Sequence, residues 1–165
     1  MFEFKRTDTS EIHYIQNIAE RTWPHAYGDI LSKEQLAYML RMMYSTDTLT
    51  KQFSEGHLFY FVCRNNQILG FASIEVTDEN TIKLHKIYLL PEHQGNGAGK
   101  ALLQFIINKA RSLGASRLLL NVNRHNKARY FYEKKGFEII REKDIDVGGG
   151  FFMNDYIMQL DLCNC

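Results

Sequence analysis

The chain changes its hydrophobic period several times. Phe2-Glu3-Phe4-Lys5-Arg6 alternates apolar and polar residues as a short strand does. Asp8 and Glu11 form a helix start of the capping-box type, and Ile12, Ile15, Ile18 and Ala19 recur behind them at helical spacing. The stretch Trp23-Pro24-His25-Ala26-Tyr27-Gly28-Asp29 is expected to break that helix. Ser32 with Gln35 then opens a second one, striped by Leu36, Met39, Leu40 and Met43.

From His57 onward the period is that of strands. Leu58 to Cys63, the turn Asn65-Asn66 and Ile68 to Val76 read as a hairpin. A turn at Asp78-Glu79-Asn80 leads to a third strand, Ile82 to Leu89, completing an antiparallel meander. A helix runs from Ala98 to about Leu113 and stops at Gly114. Leu118-Leu119-Leu120-Asn121-Val122 is apolar enough on both faces to be a buried strand. A short helix from Asn126 to Lys135 ends at Gly136, and Phe137-Glu138-Ile139-Ile140 begins another strand. After Gly148-Gly149-Gly150, residues Phe151 to Leu160 form the last one. The order β-α-α-β-β-β-α-β-α-β-β predicts an α+β fold around one mixed sheet.

Composition narrows the class. A chain of 165 residues, 45% of them hydrophobic, suits one soluble domain spanning 1–165. Its 11 Phe, 9 Tyr and 1 Trp exclude a disordered chain. No apolar run reaches the roughly 18 residues of a membrane span, and the opening Met-Phe-Glu-Phe-Lys lacks the apolar segment of a signal peptide. Cys63, Cys163 and Cys165 are odd in number and irregularly spaced, so a reduced, cytoplasmic protein is expected rather than a disulfide scaffold. Net charge is +1, yet residues 1–99 carry −3, residues 100–143 carry +8 and residues 144–165 carry −4. That partition suits either two ligands of opposite charge or helix faces that are simply solvated.

The loop Gln94-Gly95-Asn96-Gly97-Ala98-Gly99-Lys100 joins a strand to a helix, where glycines let backbone N–H groups approach an anion. It is not a P-loop, because Gln94 stands where Gly is required and Ala101 where Ser or Thr is required. It is not a dinucleotide fingerprint either, since Lys100 replaces the last Gly. What remains is Gln-x-x-Gly-x-Gly at Gln94, Gly97 and Gly99. A second block follows after one strand: Asn126-Lys127-Ala128-Arg129-Tyr130-Phe131-Tyr132-Glu133-Lys134-Lys135-Gly136-Phe137.

With these two blocks in this order the chain resembles the GNAT superfamily of acetyl-coenzyme A-dependent N-acetyltransferases. The resemblance implies a mostly antiparallel sheet of about seven strands with four or five helices on both its faces. It implies acetyl-CoA as co-substrate, its pyrophosphate held by residues 94–100. Asn126, Arg129, Lys134 and Tyr132 of the second block join Ile87 and Leu89 as cofactor-binding positions. The backbone of Ile87 and Leu89 would hold the pantetheine arm and thioester, with the Leu89 N–H on the acetyl oxygen. Lys100, Arg129, Lys134 and Lys135 are the cations available for the phosphates, although one of Lys134 and Lys135 is expected only to complement a helix end. Tyr132 falls on the family's proton-donor position beside the coenzyme sulfur.

A primary alkylamine with pKa ~10.4 is about one part in a thousand neutral near pH 7.4, so a general base is expected. Strand alternation places Lys83, His85, Ile87 and Leu89 on one face, which makes His85 the candidate base and Glu75 its substitute. The remaining histidines, His13, His25, His57, His93 and His125, show no metal-ligand spacing, and no metal is expected. The acceptor should lie over the leading helices. Trp23, Tyr27 and Glu75 are its candidate contacts, with His25 and Asp29 nearby; Trp23 and the methionines could equally be core. The segments 22–40 and 150–156 resemble bacterial polyamine (spermidine/spermine) acetyltransferases of the PaiA kind. That likeness implies a small-molecule amine acceptor; no nucleic-acid partner is expected, because the basic residues cluster at the two signature blocks without a binding motif, and no membrane partner is expected. A protein or peptide amine acetylase and a non-catalytic acetyl-CoA-binding regulator are the alternatives, and an exposed last strand would suit a homodimer.

Overall fold

The computed structural model describes residues 1–163; Cys165 lies outside the described residues. Seven strands form one sheet: β1 (Glu3–Arg6), β2 (Leu58–Arg64), β3 (Gln67–Asp78), β4 (Thr81–Leu89), β5 (Arg117–Asn123), β6 (Glu138–Gly148) and β7 (Phe151–Asp161). Five helices accompany them: α1 (Ile12–Tyr27), α2 (Lys33–Tyr44), α3 (Thr46–Ser54), α4 (Ala98–Ser112) and α5 (Ala128–Lys134). The sheet order is β1-β2-β3-β4-β5-β7-β6, antiparallel except where β4 meets β5. The α+β expectation is borne out.

Each face of the sheet carries its own apolar layer. On one side Ile82, Leu84, Leu118 and Leu120 pack against Leu102, Leu103, Ile106 and Ile107 of α4. On the other, Phe59, Phe61 and Phe71 meet Ile15, Ile18, Trp23 and Leu49 of α1 and α3. The α1 stripe of Ile12, Ile15, Ile18 and Ala19 is buried as its period requires.

Four details differ from the pattern-based expectation. First, α1 runs through Pro24 to Tyr27 instead of breaking at Trp23. Pro24 sits in the last turn, where a lost N–H removes one bond, and its own carbonyl still accepts from Gly28 N–H at 2.9 Å. Second, a third leading helix, α3, begins at Ser45, whose hydroxyl accepts from Thr48 N–H at 3.1 Å. Third, β6 extends to Gly148, held by β7 along its length. Fourth, β7 lies between β5 and β6, so the last strand is interior and β6 is the edge.

The β6–β7 turn is pinned to α2. Tyr38 Oη donates to the Val147 carbonyl at 2.8 Å, and Gln35 Nε2 donates to the Phe152 carbonyl at 2.7 Å. Gly148 has φ +87°, and a Cβ there would stand 2.4 Å from Tyr38 Oη. Only glycine lets this turn lie so close to the α2 ring.

Candidate active site

Parallel pairing of β4 with β5 covers only Thr81 to Leu84 against Arg117 to Leu120. Beyond Leu84 the strands part, β4 staying with β3 and β5 with β7. Leu90 N–H donates to the Leu69 carbonyl at 2.8 Å. Antiparallel alternation from that bond turns the backbone groups of Ile87 and Leu89 away from β3 and into the gap. Gln94 Nε2 donates to the Leu89 carbonyl at 3.2 Å and thereby folds the glycine loop across the gap's end.

A hollow of about 260 Å³ occupies the gap. Ile87, Leu89, Gln94, Asn126 and Tyr132 line it together with Tyr27. At its rim the loop enters α4 without a side-chain cap. Gly95 and Gly97 take φ +83° and +91°, and no atom lies within 4 Å of where a Gly95 Cβ would stand. Asn96 Oδ1 accepts from Ala98 N–H at 3.2 Å. The first-turn amides of Gly99 and Lys100 are then left without intrahelical acceptors, the arrangement that suits a phosphate. The Lys100 and Lys134 side chains are exposed. Arg129 Nε stands 3.4 Å from Glu133 Oε1, and its guanidinium lies over the rings of Tyr130 and Tyr156.

A second hollow, of about 270 Å³, opens toward α1, α2 and the β6–β7 hairpin. The two share Tyr27, Leu84, His85, Tyr88 and Asn121, so these five residues mark where they meet. Tyr27 and Tyr88 join their hydroxyls at 3.0 Å, and burial pushes both phenols up. Trp23 is 1% exposed, packed at tilted and edge-on angles among Tyr27, Tyr44 and Tyr88, and lines the second hollow. Tyr132 is 8% exposed on α5, its phenol pushed up by burial and so neutral at every physiological pH.

Strand alternation does not hold through β4. Ser73 pairs with Lys86 and Ile74 with Leu84, which leaves His85 as the extra residue of a bulge. Ile87 and Leu89 therefore join Ile82 and Leu84 on the α4 face, while Tyr88 packs on the α1 side. His85 Nε2 lies 2.8 Å from Glu75 Oε1, and His57 Nε2 lies 3.5 Å from the same oxygen. Packing by its neighbours partly desolvates the His85 imidazole, whose side chain stays 29% exposed, and drives it down to about 4, and the hydrogen bond from His85 lowers the Glu75 carboxyl. At neutral pH His85 is therefore uncharged, donating through Nε2–H to an ionised Glu75 and keeping its Nδ1 lone pair free.

The fold thus gathers three potential metal ligands, His57, Glu75 and His85, with ligand atoms within 4.8 Å of one another. Sequence spacing did not reveal them. Their rings are stacked at 4.7 Å and 9°, so the two imidazole lone pairs lie in separate parallel planes. An ion could not take both without one ring turning.

Several residues at the site carried no signal in the sequence. Lys83 Nζ donates to Asn121 Oδ1, and Asn121 Nδ2 donates to Asp155 Oδ2 at 3.3 Å. Asp155 is 6% exposed and lines the second hollow. Its Oδ1 has no partner, and burial raises the carboxyl. Lys86 is likewise buried, held by Gln52 Oε1 at 3.0 Å and lowered to about 8. An Asp–Asn–Lys relay across three strands depends on sheet order, which single-strand patterns do not encode.

The profile of the acetyltransferase (GNAT) family matches residues 12–137. The [ribosomal protein bS18]-alanine N-acetyltransferase of Haemophilus influenzae is 41% identical over 105 residues, covering 63% of this chain and 69% of that one. The spermidine N(1)-acetyltransferase of Thermoplasma acidophilum is 26% identical over 157 residues, covering 92% and 94%. The crystal structure of the PaiA N-acetyltransferase from Thermoplasma acidophilum in complex with coenzyme A superimposes with TM-score 0.82 at 23% identity, covering 98% of this chain and 99% of that one. No helix of the described residues is long and apolar enough to cross a membrane. With its profile match spanning the helices, the split strands and both signature blocks, the chain belongs to the GNAT acetyltransferase family.

Proposed function

We propose that this N-acetyltransferase moves an acetyl group directly from acetyl-CoA in the first hollow to a polyamine-like primary amine in the second. The observation that carries the reading is the strip shared by the two hollows. A thioester held along Ile87 and Leu89 and an amine entering from the α1 side can meet there without a covalent enzyme intermediate. The uncapped α4 terminus and the φ-positive glycines before it fit a pyrophosphate. The backbone N–H of Leu89, turned into the gap, is the candidate donor to the acetyl oxygen as negative charge develops there.

Tyr132 is the acid in this reading. Its neutral phenol faces the first hollow and can protonate the departing thiolate. His85 is the proton acceptor, directly or through a water. Glu75 fixes its tautomer and supports positive charge on the ring as the amine nitrogen gives up its proton. Polyamine-like acceptors are favoured by the full-length likeness to a spermidine acetyltransferase and by the carboxylate and aromatic faces around the second hollow. The likeness to an acetylase of a protein α-amine favours a second reading, transfer to a peptide terminus.

Thiol release from acetyl-CoA decides between them. The panel is spermidine, spermine, an alanine-terminated peptide, an aminoglycoside and a buffer blank. Preferential turnover of the polyamines is the expected result. Turnover of the peptide alone overturns the acceptor and keeps the mechanism; no turnover with any amine overturns both.

A further inference from the structure

A buried carboxylate ordinarily has all its lone pairs answered, because desolvating an ionised oxygen without a partner is unfavourable. Asp155 breaks that rule in a particular direction. Its Oδ2 takes a long bond from Asn121, while its Oδ1 has no partner and the residue borders the second hollow. Lys83 and Arg124 lie near enough to favour the charged carboxylate, but each makes its direct contact elsewhere. Lys83 reaches the Asn121 carbonyl oxygen, and Arg124 turns to Asp144 at 2.5 Å. Among the described residues no Lys, Arg or His nitrogen lies within 4.0 Å of the Asp155 carboxylate.

The surroundings say what is missing. Around Asp155 the hollow is walled by Trp23, Tyr88, Met39, Met43, Val147 and Met153, and Lys83 lines it as well, its Nζ bound to Asn121 Oδ1. Such walls accept methylene groups and the face of an ammonium but offer no second anion. The Lys83–Asn121 bond orients the Asn121 amide so that its N–H, not its oxygen, meets Asp155. The relay therefore fills one carboxylate oxygen and leaves the other, itself covered by its neighbours, without a partner at the edge of the hollow. Asn121 also borders the first hollow, so Asp155 adjoins, through its bond to Asn121, the strip that the two hollows share.

We propose that Asp155 Oδ1 is the seat of a second, non-reacting ammonium of the acceptor, which makes this site select diamines and longer polyamines over monoamines. The inference rests on the acetyl-transfer reading above and adds to it the residue that recognises the acceptor. An aliphatic diamine spans the two ends with its methylenes on the methionine and aromatic wall. A monoamine of the same length leaves Oδ1 unanswered.

The test crosses a deletion on the substrate with a substitution on the enzyme. 1,4-Diaminobutane and 1-aminobutane are compared by steady-state thiol release with the full chain and with Asp155→Asn, which keeps the side-chain shape. For the wild type, kcat/KM for the diamine should exceed that for the monoamine by tenfold or more. Asp155→Asn should erase the gap by raising the diamine KM, leaving the monoamine rate and the acetyl-CoA KM within twofold. Equal use of the two amines by the wild type overturns the seat while leaving acetyl transfer intact, and this arm holds even if the variant does not fold. Equal losses for both amines in the variant also overturn it, since Asp155 would then serve the reacting nitrogen or the fold. Turnover of neither amine, with the peptide acetylated, overturns the polyamine reading and the seat together.

Discussion

His85 and Glu75 are joined by a 2.8 Å imidazole–carboxylate bond, although Glu75 pairs in register with Lys83 and His85 pairs with no residue of β3. The bulge that makes His85 supernumerary is what brings it within reach of Glu75. The same bulge reverses the phase of β4, so that Ile87 and Leu89 face α4 while His85 borders both hollows. One extra residue thus sets the proposed proton acceptor and the backbone proposed to hold the thioester at one place on the sheet.

Acid stability should report this pair. The folded His85 imidazole lies at about 4, below its ordinary 6.5, because partial desolvation opposes its charged form; its 29% exposed side chain leaves solvent to screen part of the effect. Between those values the unfolded chain binds the proton and the folded chain does not, so stability is full above about 6.5 and declines as pH falls toward 4. His57 is lowered in the same direction by burial. The lowered Glu75 carboxyl adds a loss at more acidic pH, where it too must protonate. Thermal melts should show Tm falling from pH 7 to pH 5, by roughly 2–4 °C for each 1 kcal/mol lost. His85→Gln should flatten that slope; an unchanged slope means that other groups control acid unfolding.

Tyr132→Phe should lower kcat by about tenfold or more, the scale of a lost general acid, while the acetyl-CoA KM stays near wild type. The phenol is buried beside Phe131 and Phe137, so the phenylalanine ring keeps the packing. Stopped-flow and steady-state thiol release together separate the two parameters. A kcat equal to wild type removes Tyr132 from proton transfer.

The sheet and the glycine loop were legible because each rests on local spacing, period two in strands and glycines before a helix, whereas the Tyr132 block was read from its resemblance to a family signature. What escaped depends on counting between strands or on neighbours far along the chain. The bulge at His85 exists only relative to β3, and Asp155 is buried only because β7 sits inside the sheet. Two misses were local. Ser45 followed by Leu49 and Phe53 has the cap and spacing of α3, and Pro24 is compatible with a final helical turn whose carbonyls still find donors. Trp23 illustrates a different limit, since burial of its ring by three tyrosines cannot be read from its position in a helix.

Gly97 separates a cradle from a mere turn. It is the N-cap of α4 at φ +91°, and a Cβ there would meet only Phe2 Cε2, at 4.0 Å. Inside the protein there is room for a side chain. A β-branched residue would still carry the left-handed backbone penalty of roughly 1–2 kcal/mol, and it would project into the space that the open α4 amides leave for an anion. Gly97→Val should therefore fold with a Tm reduced by only a few degrees yet lose coenzyme A affinity by a hundredfold or more in isothermal titration. Wild-type affinity in a folded Gly97→Val protein would move the phosphate seat away from this loop, leaving the β4–β5 gap to hold the co-substrate by its pantetheine arm alone.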